Sequence, residues 1–107
     1  MIYEWRVYEV VPGKMNAINE RFQKITTKFF DKYGIRVVGF WQADIGTSNV
    51  LYYMLAWDSL AQREKVWSAF SSDPDRLKAF RETEKDGPLV ERVVNTILRP
   101  TAYSPMK

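Results

Sequence analysis

A chain of 107 residues, 46% hydrophobic and 15% aromatic, has enough apolar side chain to bury one core and little left for a second, so residues 1–107 are read as a single domain. It contains no cysteine and no histidine, which removes disulfides, thiol and imidazole catalysis, and His- or Cys-ligated metal or haem; the expectation is no metal and no cofactor. The formal net charge of +3 is interleaved with acidic residues and no apolar run reaches a membrane span, so neither a nucleic-acid partner nor membrane insertion is expected.

Residues 2–11 are rich in β-branched and aromatic side chains and stop at Pro12-Gly13, which predicts a strand. Along that strand Tyr3, Trp5 and Val7 alternate with Ile2, Glu4, Arg6 and Tyr8, and the more apolar first set is expected to meet the helices. The opening residues lack both a signal core and transit-peptide character, so the expected location is cytoplasmic. From Met15 the spacing Met15, Ile18, Phe22, Ile25, Phe29, Tyr33 predicts one helix, with Gly34 as its C-terminal cap.

Residues 35–45 and 49–57 read as two strands joined by Gly46-Thr47-Ser48. The second of them is apolar at nearly every position, as a strand covered on both faces must be, and two helices can cover only one face. Ser59 with Gln62 forms a capping box for a helix to Ser71 or Ser72, carrying Leu60, Trp67 and Phe70 inward. Asp73-Pro74 restarts a helix with Leu77 and Phe80 inward, Gly87-Pro88 ends it, 90–99 is a fourth strand, and 100–107 is a trailing arm. The order is the split pattern of the ferredoxin-like α+β class, βαββαβ, with a four-stranded antiparallel sheet and helices on one face. RNA-binding domains share this order, but the third strand has no basic residue and no RNP pattern.

Arg63 falls on the apolar stripe of the second helical region, so its head group needs a partner, an anion or water. Arg63, Asn49, Trp41, Tyr53 and Trp57 are the candidate ligand-binding residues, for a small apolar or anionic molecule. Against this stand plain structural readings: a stem lying over the core for Arg63, a turn for Asn49, core packing for the aromatics. Glu4, Arg6 and Tyr8 are read as the interface of a homodimer, where a charged pair would fix orientation. No catalytic residue is assigned.

The ordered pieces Tyr3-Glu4-x-Arg6-x-Tyr8 before Pro12-Gly13, Gly39-x-Trp41, Gly46-x-x-Asn49, Trp57, Leu60-x-x-Arg63-Glu64 and Asp73-Pro74 with Phe80 resemble the NIPSNAP family of the dimeric α+β barrel superfamily. The resemblance spans almost the whole chain. It implies a sheet that packs against a partner's sheet to close a barrel, and it implies no reaction, since similar barrels serve as monooxygenases, haem enzymes and binders. The chain departs from the family pattern at Arg76, where a second Trp is expected, and at Trp5, where a small aliphatic residue is commoner. Two functions stay open: a small-molecule binder or cofactor-independent enzyme, and a dimeric scaffold without chemistry.

Overall fold

The computed structural model describes all residues, 1–107. Its strands are β1 (Ile2–Val10), β2 (Arg36–Gln42), β3 (Val50–Trp57) and β4 (Val90–Leu98), and its helices are α1 (Met15–Arg21), α2 (Thr27–Lys32), α3 (Leu60–Ser72) and α4 (Pro74–Thr83), with a π-helical turn at Phe22–Thr26 between the first two. The sheet order is β2-β3-β1-β4 with every neighbouring pair antiparallel, which is the expected ferredoxin-like α+β sheet.

The single helix expected over 15–33 contains a break in its geometry. Its buried positions Ile18, Phe22, Thr26 and Phe30 recur every fourth residue, and on an α-helix of 3.6 residues per turn such a row drifts by about 40° per step. The wider turn, in which the Thr27 N–H reaches back to the Phe22 carbonyl, takes up that drift and keeps Phe30 over the sheet. Phe30 then packs on Phe70 of α3 at 5.2 Å between ring centroids, and Phe22 packs on both Phe40 and Tyr53 at 5.2 Å. The core between helices and sheet is completed by Ile2, Val10, Ile35, Leu51, Leu55, Trp57 and Leu89.

Three inward assignments are corrected. The helix-facing side of β1 carries Ile2, Glu4, Arg6 and Tyr8, because Glu4 is fully buried against Arg63 of α3; Tyr3, Trp5 and Val7 lie on the side without helices. Leu60 and Leu77 are exposed, while Trp67 and Phe70 of α3 face inward as expected, joined by Val66. On the helix-free side Trp5 stacks on Tyr52 and lies 5.8 Å from Trp41, whose ring in turn rests on Gly39. A Cβ at Gly39 would stand 2.8 Å from that ring, which is the steric reason for a glycine two residues before Trp41.

Asp73 ties the two ends of the helix layer together. Its Oδ1 accepts from the Asp75 and Arg76 amides at the start of α4, and its Oδ2 accepts from Lys32 Nζ at 2.7 Å and from the Tyr33 hydroxyl, beyond the end of α2. These bonds hold its carboxyl well below the usual range and push Lys32 and Tyr33 up. Asp73→Ala should therefore lower the thermal midpoint clearly more than Asp75→Ala, an exposed neighbour without those partners, when both are followed by circular dichroism; equal midpoints would show that the tie contributes nothing.

Candidate functional site

The polar centre of the molecule is one buried carboxylate with five donors. Glu4 accepts from Arg63 Nε at 2.7 Å and Nη2 at 2.9 Å, Arg6 Nη1 at 2.9 Å, Trp57 Nε1 at 3.0 Å and Asn95 Nδ2 at 2.9 Å. The donors come from β1, β3, α3 and β4, so the carboxylate is where all these elements are pinned. Arg6 also donates through Nε to the Tyr53 hydroxyl at 2.6 Å, which donates on to Tyr8, while the Arg6 guanidinium lies 4.7 Å beneath the Trp67 ring.

Burial by itself pushes the Glu4 carboxyl up, but hydrogen bonds from Arg63 and Asn95 together with the charge and bond of Arg6 overcome it and hold the group at about 2. Arg6 is pushed up, since Tyr53, Tyr8 and Glu4 outweigh its desolvation. Tyr53 is raised well above the ordinary phenol range, by burial first and then by Tyr8. Arg6 and Arg63 thus share one anion.

The arginine surplus extends into the helix layer. Arg76, where the resemblance led a Trp to be expected, donates through Nε and Nη2 to the Phe70 and Ser71 carbonyls at the end of α3. Phe80 is held between Arg76 at 4.6 Å and Arg21 at 4.5 Å. Arg21, at the end of α1, is buried, and its one carboxylate partner is Glu84 at 3.3 Å. The four guanidiniums make ion pairs with two carboxylates, Glu4 and Glu84, while the third carboxylate of the layer, Asp73, is paired with Lys32.

The five residues singled out as ligand-binding are not brought together. Arg63 is spent bidentately on Glu4, Tyr53 is fully buried beneath Phe22 and Phe30, Trp57 is fully buried against Trp67 of α3, and Trp41 is on the opposite side of the sheet. Asn49 sits at the sheet end with a left-handed backbone (φ 61°), lining a cleft with Glu9 and Arg92, so its turn role is the one on view. Of the five surface clefts none is lined by Glu4, Arg6 or Arg63. The Glu4, Arg6 and Tyr8 side chains point into the helix-covered side of their own subunit, so an interface on that strand has to use Tyr3, Trp5 and Val7. Sequence reading passed over Arg21, although it follows Ile18 by three residues and so shares its inward face. No three His, Cys, Asp or Glu side chains converge in the domain.

The NIPSNAP family profile matches residues 3–105. The chain belongs to the NIPSNAP family. A NIPSNAP domain protein from Burkholderia xenovorans shares 25% identity and superimposes with a TM-score of 0.85, covering 98% of this chain and 99% of its own. A NIPSNAP family protein of unknown function from Agrobacterium tumefaciens, also 25% identical, gives 0.87 over 100% of this chain and 94% of its own. The human Protein NipSnap homolog 3A is 28% identical over 81 residues, 75% of this chain and 32% of the human protein, so this NIPSNAP domain spans about a third of that relative. A candidate antibiotic biosynthesis monooxygenase from Nitrosomonas europaea, 16% identical with a TM-score of 0.64 over 94% of this chain and 98% of its own, shares the fold. No helix of the domain is long and apolar enough to cross a membrane.

Proposed function

We propose that this NIPSNAP domain is half of a two-fold barrel that binds a small organic anion in its arginine-rich helix layer. The observation that carries the reading is the charge count: Arg6, Arg21, Arg63, Arg76 and Lys32 meet three carboxylates at the helix layer, Glu4, Glu84 at 3.3 Å, and Asp73, which is taken up by Lys32. A surplus of desolvated cations in a folded domain is costly unless an anion completes it. Pairing through the helix-free side of the sheet leaves that layer accessible from outside the barrel. No reaction is assigned, and a cytoplasmic setting is part of the proposal.

Thermal unfolding in acetate, butyrate, benzoate and phosphate at constant ionic strength tests it. A ligand that binds only the folded state at a hundred times its Kd stabilises by about 2.7 kcal/mol, which for a domain this size raises the midpoint by of order 10 °C. A rise specific to one anion class supports the reading, and a flat response across the series removes it. A flat response would leave the second reading, a dimeric scaffold or interaction module, which is favoured by the complete satisfaction of Glu4 and by the absence of any cleft at Arg63.

A further inference from the structure

Only two buried side-chain polar atoms in the chain lack a hydrogen-bond partner, Arg21 Nε and Thr26 Oγ1, and they stand at the two ends of the π-helical turn. Buried unpaired donors are rare, and π turns collect at functional positions, so their coincidence singles out this turn. Arg21 is 7% exposed, yet its two hydrogen bonds both run from Nη1, to Thr83 Oγ1 and Glu84 Oε1, and both are 3.3 Å long. The Nε–Nη2 edge, the side of a guanidinium that grips two oxygens at once, has no protein partner. Arg21 also lines a cleft of about 230 Å³ between α1, the π turn and α4, walled by Ala17, Ile25 and Leu89.

We propose that this cleft is a binding site for a small monocarboxylate, with Arg21 as its two-pronged anchor and the apolar wall taking a short hydrocarbon tail. The inference rests on the anion-binding reading above and locates it away from the Glu4 cluster. The long Nη1 bonds leave the guanidinium loosely held, so a slight swing turns its free edge toward the cleft. The charge balance selects the class of anion. Lys24 and Lys85 line the cleft with Arg21, and Glu20, Glu82 and the nearby Glu84 match them in number, so one bound carboxylate gains the fork at a cost of a single net charge, whereas a dianion would leave two. Bidentate geometry favours Arg here over an ammonium.

The test is amide and arginine side-chain NMR of the ¹⁵N-labelled protein titrated with sodium butyrate, with phosphate and chloride at matched ionic strength. Saturable shifts at Ala17, Ile25 and Leu89 and at the Arg21 Nε–H are expected, with butyrate binding more tightly than phosphate. Arg21→Lys, which keeps the charge and loses the fork, should weaken butyrate by about tenfold or more. Shifts confined to Arg6, Arg63 and Asn95 would overturn this site while sparing the anion-binding reading. No saturable shift anywhere would overturn both. Tighter binding of phosphate, or unchanged butyrate affinity in a folded Arg21→Lys, also refutes the site, and the mapping on unaltered protein decides the matter should that variant fail to fold.

Discussion

Glu4→Gln is expected to destabilise the domain by about 3–5 kcal/mol, the range for stranding buried charges when their partner is removed. Five donors converge on the two carboxylate oxygens, and glutamine offers one oxygen and an amide that would point hydrogens at hydrogens. Set against a typical total of about 5–15 kcal/mol, the loss leaves a marginal fold. Arg63→Met should cost less than Glu4→Gln, because Arg6, Trp57 and Asn95 still hold the carboxylate.

The same carboxylate fixes how the domain meets acid. Its folded pKa of about 2 lies below the unfolded value of 4.5, so its contribution is complete above pH 4.5 and is lost as pH falls toward 2. The difference corresponds to about 3 kcal/mol, at 1.36 kcal/mol per unit. Asp73, also depressed, acts in the same direction. Urea unfolding between pH 6 and 2 should show a steeper loss in the natural sequence than in Glu4→Gln; parallel curves would mean that Glu4 contributes nothing to the acid response.

The second large effect concerns the helix-free side of the sheet. Trp5, Trp41, Tyr52, Met54, Val94 and Leu98 share that side by register, with Trp41, Val94 and Leu98 exposed, a contiguous apolar face of the kind that marks an interaction surface. The protein should run at twice 12.6 kDa by light scattering at micromolar concentration, and Val94→Lys should return it to 12.6 kDa. Ile97→Lys, on the helix side of the same strand, should leave pairing intact and serves as the control. A natural protein that stays at 12.6 kDa at every concentration would sink the proposal, as would a paired Val94→Lys.

Element order and most boundaries were legible because Pro12-Gly13, Ser59, Asp73-Pro74 and Gly87-Pro88 punctuate the chain with local chemistry. Which side of β1 the helices cover was not. Both alternating sets on that strand carry aromatic residues, and the choice is made by an ion pair between residues 59 apart in the chain, to which local pattern is blind. Arg63 did announce through its place on an apolar stripe that it needed a partner; the stripe could not say that the partner was Glu4. The π turn was invisible for a different reason. Spacings of three and four satisfy an ordinary helix, and only the position of Phe30 over Phe70 reveals that one turn is wide.

That wide turn behaves as a single inserted residue. A turn closed five residues back holds one residue more than one closed four back, so removing one residue within 22–26 would regularise the helix and leave Thr27–Lys32 where they are. Removing one from Thr27–Lys32 has no such slack: every later side chain before Gly34 would rotate by about 100° about the axis. The chain therefore has a segment tolerant of deletion directly beside one that is not. A homologue one residue shorter at this point would keep the architecture without the wide turn, so the length of this one segment would sort relatives that retain the turn from those that have healed it.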